Sequence, residues 1–69
     1  SGQWLPRLTS GEHEVLQLAG AGLDKLEIAQ SLRLTESTVR ARATSITCKL
    51  DCDSLADAVR EARALQLIR

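Results

Sequence analysis

Within three residues, Arg33-Leu34-Thr35, the chain ends one helical pattern and starts another, and this break constrains the fold more than any other feature. Before it, Ile28, Ala29 and Leu32 are spaced to share one helical face. After it, Val39, Ala43, Ile46 and Leu50 recur at steps of four, three and four, one apolar stripe on a longer helix. Thr35 is a good N-cap for that second helix, and Glu36 places a carboxylate where it complements the helix dipole. Two helices joined by so short a turn cannot lie flat together. They cross steeply, and the second turns its outer face to solvent, as in a helix-turn-helix.

Residues in a helix advance about 100° each. Opposite the apolar stripe lie Ser37, Ala41, Thr44 and Cys48, all small. Arg40 and Thr47 take one flank; Thr38, Arg42, Ser45 and Lys49 take the other. A ridge of small residues lets a helix sit deep in a DNA major groove, and flanking cations then reach base edges or phosphates. The same residue types also make an ordinary solvated surface, so this face alone does not decide between the two.

The rest of the chain supplies the support. Thr9-Ser10-Gly11-Glu12 is a capping box that opens a first helix, predicted over 10–21, with Val15, Leu16, Leu18 and Ala19 inward and Gly22 as its stop. Leu23 plugs the turn. Asp24-Lys25-Leu26-Glu27 repeats the capping-box pattern and opens a second helix over 25–32. The third follows over 36–50. Ser54, with Asp57 three residues on, caps a fourth over 55–66, where Leu55, Ala58, Val59, Ala62 and Leu65 recur at helical spacing. Leu67 and Ile68 fold back onto the core. Cap signals in register with apolar periodicities predict an all-α fold, a four-helix bundle containing a helix-turn-helix. Residues 1–7 read as a linker, with Trp4-Leu5-Pro6 as an anchor on the bundle, and 8–69 as the domain.

Composition limits the alternatives. A chain of 69 residues allows one thin-cored domain, and with one aromatic residue the core must be aliphatic. No apolar run approaches the roughly 18 residues of a membrane span, and no signal peptide is visible, which points to a cytoplasmic protein without a membrane partner. Two cysteines, Cys48 and Cys52, with one distant histidine, His13, do not make a zinc site, so no metal is expected. Both thiols are expected reduced, with Cys52 a small buried hydrophobe and His13 at the surface or its boundary. No carboxylate pair, nucleophile-base set or phosphate loop suggests an enzyme, and no cofactor is implied. Net charge is zero, which counts against strong nonspecific DNA binding. The distribution tempers this. From Arg33 to Lys49 there are four basic residues and one acidic residue, while Glu12, Glu14, Asp51, Asp53, Asp57 and Glu61 lie elsewhere along the chain.

The pattern of Leu8-Thr9, Glu12, Glu14-Val15-Leu16, Gly22-Leu23, Glu27-Ile28-Ala29, Leu32, Thr38-Val39-Arg40, Ile46, Lys49-Leu50 and Ala58-Val59 resembles the LuxR/GerE-type helix-turn-helix domain. Such domains close quorum-sensing regulators and NarL/FixJ response regulators. The resemblance spans Leu8 to Ile68 and implies a sequence-specific DNA-binding domain of a bacterial transcriptional regulator. It implies base contacts from Arg40, Ala41 and Thr44 and a phosphate contact from Lys49. Thr38 and Arg42 would hold further phosphates on double-stranded DNA, and Ser37 would line the groove. It also implies an upstream sensor or receiver domain missing from this chain, and a homodimer paired through the fourth helix. Leu55, Ala58, Val59 and Ala62 are the expected dimer interface, because that apolar side is wider than a thin bundle needs. The chain departs from the family at Gly11 and Leu55, where arginine is usual, and at Arg42, where histidine is usual. The alternative reading is a protein-interaction module that keeps the fold with weakened or lost DNA binding.

Overall fold

Each helix begins where a side-chain oxygen reaches its first turn. In the computed structural model, which describes residues 7–68, these are α1 (Ser10–Gly20), α2 (Lys25–Leu32), α3 (Glu36–Leu50) and α4 (Leu55–Ala64), with no strand among the described residues. Thr9 Oγ1 accepts from the Glu12 amide at 3.1 Å, and the Glu12 carboxylate accepts from the Thr9 amide at 2.8 Å. Asp24 and Glu27 form the same reciprocal pair at 2.8 and 2.9 Å. Thr35 caps α3 through the Thr38 amide, and Ser54 caps α4 through the Asp57 amide. These caps satisfy amides that the helix itself leaves unpaired. The expected anchor at Trp4-Leu5-Pro6 lies outside the described residues.

The helices end by one shared device. After α1, the Gly22 amide donates to Ala19 O and the Leu23 amide to Leu18 O, with Gly22 at φ 100°. This is the Schellman pattern. The same pair of bonds recurs after α2, α3 and α4, with Arg33, Asp51 and Gln66 taking the left-handed conformation at φ 58°, 55° and 60°. In each case an apolar residue follows, Leu23, Leu34, Cys52 or Leu67, and each packs against the core. The device stops α1 one residue and α4 two residues before the predicted ends, because the chain must leave the helix to place Leu23 and Leu67 inward.

Helices α1 and α3 each touch every other helix, whereas α2 and α4 do not touch each other. The core lies between them. Val15, Leu16, Ile28, Val39 and Ile46 are its largest fully enclosed side chains. Full burial of each such side chain stabilises by about 1.5–3 kcal/mol. The whole predicted stripe of α3, Val39, Ala43, Ile46 and Leu50, is buried. Leu18 and Ala19, expected inward, are only half-buried at the edge of the core. Ile68 is buried as predicted. His13 is exposed, and its Nε2 bonds to the Leu67 carbonyl at 2.9 Å, tying α1 to the returning C-terminal segment. Leu26 is the one exposed large hydrophobic side chain among the described residues.

Candidate nucleic-acid interface

Burying the stripe of α3 fixes which side of that helix is free. Ser37, Arg40, Ala41, Thr44 and Cys48 are exposed along its outer face. The Thr44 hydroxyl donates to the Arg40 carbonyl at 3.0 Å. Its proton is therefore used within the helix, and Thr44 offers a groove its methyl group and an acceptor oxygen. The Arg40 guanidinium donates to Glu36 one turn earlier at 3.1 Å, with both side chains well exposed. Such pairs stabilise a helix by only about 0.2–0.5 kcal/mol, so Arg40 can exchange Glu36 for a base edge at little cost.

The flank holding Arg42, Ser45 and Lys49 is only half-exposed. It lies against the first turn of α1. Lys49 Nζ donates to Glu12 Oε1 at 2.6 Å, the Ser45 hydroxyl donates to the other Glu12 oxygen, and the Thr9 amide donates to Oε1 at 2.8 Å. Glu12 is only 5% exposed. Burial raises the pKa of this carboxyl, but hydrogen bonds from Lys49, Ser45 and the Thr9 amide outweigh it and hold the value at about 2. This corrects the grouping of Glu12 with the acids remote from α3. It also places Lys49, expected on phosphate, in an internal ion pair that a phosphate would have to share. The sequence signal for Glu12 was the capping box, which accounts for its bond to Thr9 and predicts neither Ser45 nor Lys49. Thr38 is half-buried, and its hydroxyl lies 2.9 Å from that of its cap, Thr35. Arg42 is half-buried beside Gly11.

Between α3 and the start of α4 lies an open cleft of about 190 Å³, lined by Lys25, Arg40, Thr44, Thr47, Asp53 and Ser54 among others. It is smaller than the roughly 300 Å³ from which ligand pockets start, which suits surface recognition better than small-molecule capture. Cys48 is exposed on the outer face, and Cys52 is half-buried with its thiol 3.3 Å from the Leu50 carbonyl. Burial, joined by Glu61, Asp57, Asp51 and Asp53, pushes the Cys52 thiol up. No group of metal-ligating side chains converges among the described residues. No described helix is long and apolar enough to cross a membrane.

In the fourth helix Ala58, Val59 and Ala62 are buried, and Leu55 packs half-buried against the same core. Within one chain Ala58, Val59 and Ala62 thus face its own core, which leaves Leu55 as the partly exposed member of the expected dimer interface. The exposed side carries Ala56, Arg60 and Ala64.

The chain is similar to several known proteins. The family described as bacterial regulatory proteins, luxR family (GerE), matches residues 6–62. Among solved structures, the response regulator ChrA of a heme-sensing two-component system superposes with a TM-score of 0.87 at 32% identity. That match covers 96% of this chain and 33% of ChrA, so the chain spans about a third of that regulator's length. The transcription factor GerE superposes with a TM-score of 0.83 at 27% identity, covering 90% of this chain and 92% of GerE. No curated protein matches the sequence.

Proposed function

The chain belongs to the luxR family of bacterial regulatory proteins, a family of DNA-binding transcription factors and not of enzymes, and on that premise we propose that it binds double-stranded DNA sequence-specifically with α3 in the major groove. The observation that carries this reading is the two-sidedness of α3. Its apolar stripe is fully buried, while the small ridge of Ser37, Ala41 and Thr44 is exposed beside the Arg40 guanidinium. Arg40 reads a base edge, Ala41 and Thr44 sense its neighbours, and Thr38 and Arg42 lie toward the phosphates. Lys49 reaches phosphate only by sharing its charge with Glu12.

The fraction of ChrA that the chain spans supports a further reading, that this is the DNA-binding output of a longer cytoplasmic regulator with a receiver or sensor domain upstream. Zero net charge limits what one copy can hold electrostatically. We therefore infer a homodimer on DNA, paired across the exposed side of α4 around Ala56, Arg60 and Ala64, with recognition helices in grooves about 34–36 Å apart.

Selection of bound sequences from a random duplex pool, followed by titration over a salt series, tests the reading. The expected result is one enriched motif, bound less tightly as salt rises. An absence of any complex at low salt would overturn it in favour of the protein-interaction alternative. Paired and single half-sites bound equally well per site would remove the dimer.

A further inference from the structure

We propose that Gly11 is a positioning residue for DNA binding: by carrying no side chain, it lets the Arg42 guanidinium lie across the first turn of α1, where that charge is held for a phosphate. The proposal rests on the DNA-binding reading above and adds a residue that does not itself touch DNA.

A Cβ placed on Gly11 would lie 2.7 Å from Arg42 Nη1, 2.8 Å from Cζ and 3.3 Å from Nε. Its three nearest neighbours would all be atoms of this one guanidinium, which therefore lies directly over the Gly11 backbone. Side-chain carbons do not approach this closely, so any residue with a Cβ moves Arg42 away. Backbone conformation does not call for glycine here, since Gly22 is the glycine with positive φ and Gly11 lies within α1. Gly11 is the second residue of α1, in its first turn, and nothing in the backbone requires glycine there; what a Cβ would disturb is the contact with Arg42.

The charge pattern makes the contact consequential. Along this flank of α3, Gly11 faces Arg42 and the next residue, Glu12, faces Ser45 and Lys49. Lys49 is neutralised by Glu12, Arg40 is paired with Glu36, and Arg60 with Asp57. Arg42 has no ion pair or hydrogen bond among the described residues. Of the two cations on the flank against α1, one is committed internally and the other keeps its full charge. The half-buried guanidinium packs over this backbone surface without a hydrogen bond, so its charge is placed beside α1 yet stays free to meet a phosphate. The phosphate contact expected of Lys49 therefore falls chiefly to Arg42.

The test compares Gly11→Ala, Arg42→Ala, the double variant and Arg42→Gln, each by thermal melting and by titration with the selected duplex and a random duplex across salt. Gly11→Ala should fold with a melting temperature at or above that of the unsubstituted chain, because a flexible guanidinium can yield. It should nonetheless bind both duplexes roughly three- to tenfold more weakly, with a salt slope smaller by about one. Arg42→Ala and Arg42→Gln should do the same, and adding Gly11→Ala to Arg42→Ala should change nothing further. A Gly11→Ala chain that keeps the original salt slope overturns the proposal, as do losses that multiply in the double variant. A Gly11→Ala chain that fails to fold also overturns it, since the glycine would then serve the fold; Arg42→Gln would still report on the phosphate. If the unsubstituted chain binds neither duplex, the underlying DNA-binding reading has failed instead, and this proposal with it.

Discussion

Lys49 Nζ sits 2.6 Å from Glu12 Oε1, so the last turn of the recognition helix is fastened to the first turn of α1 across 37 residues of sequence. The same carboxylate caps α1 through Thr9 and accepts from Ser45. One buried side chain thereby sets where α1 begins and how α3 is held against it. The exposed face of α3 inherits its orientation from this junction.

Stability should fall in acid through Glu12. Its carboxyl titrates at about 2 in the folded chain against an ordinary value of 4.5. Because the folded value is depressed, the contribution to stability is fully present above about pH 4.5 and is lost as pH falls toward 2. Melting temperature measured from pH 6 to pH 2 should drop across that window. In Glu12→Gln the drop should be shallower, from a lower starting point. Parallel curves for the two chains would show that other carboxylates dominate acid unfolding.

Removing the lysine leaves the buried carboxylate short of its strongest partner. Lys49→Ala should cost about 1–3 kcal/mol in denaturant unfolding. Lys25→Ala, at an exposed position, should stay within about 0.5 kcal/mol. A Lys49→Ala chain as stable as the original would mean that Lys49 is held only loosely and is free for phosphate after all.

Glu12 also shows where sequence reading stops. Each helix start was legible because a cap acts over three residues: Thr9, Asp24, Thr35 and Ser54 all cap as their spacing predicts. The buried stripe of α3 was legible because periodicity reports which side is apolar. Periodicity cannot say what covers an apolar side, and so it does not tell that Ala58, Val59 and Ala62 face the chain's own core. The partners of Glu12 at Ser45 and Lys49, and the contact of Arg42 with Gly11, depend on how α1 crosses α3, which no local spacing encodes. Helix ends fall between these cases. Gly22 announces its turn by residue type, whereas Arg33, Asp51 and Gln66 do not; the apolar residue after each is the available signal.

Arg40 should separate base reading from general attraction. Arg40→Ala should weaken binding to the selected sequence by about 1–3 kcal/mol and relax preference at one base position. Glu36→Gln releases the guanidinium from its neighbour and should tighten binding slightly at low salt. Titration against a panel of single-base variants of the selected site reads both effects. A loss from Arg40→Ala that is uniform over the panel would assign Arg40 to phosphate instead.

The two thiols should react unequally. Cys48 is exposed on the outer face of α3, while Cys52 is half-buried with its thiol pushed up by burial and nearby carboxylates. Since the thiolate is the reactive form, iodoacetamide at neutral pH should label Cys48 well before Cys52. Saturating DNA should protect Cys48 if α3 lies in the groove. Mass spectrometry of a timed quench resolves the two sites, and equal labelling would mean that the turn at Asp51-Cys52 opens readily.

The shared way in which the helices end makes a prediction about backbone strain. At Gln66 an exposed, non-glycine residue adopts φ 60°, where its Cβ crowds the backbone. Glycine carries no such penalty but loses more entropy on folding, so the two effects oppose. Relief of left-handed strain is worth about 1–2 kcal/mol and the glycine entropy about 0.5–1 kcal/mol. Gln66→Gly should therefore stabilise the chain by up to about 1.5 kcal/mol, provided that Leu67 still packs and its amide still donates to Ala62 O, at 2.8 Å in the structure. Gly22→Ala is the converse. At φ 100° no side chain sits comfortably, even though the space around Gly22 is open for 4 Å. That substitution should lower the melting temperature by strain alone, with no steric clash to relieve. Melting curves for the two single variants should move in opposite directions. A fall in both would mean that the Gln66 side chain contributes more to the turn than its strain takes away.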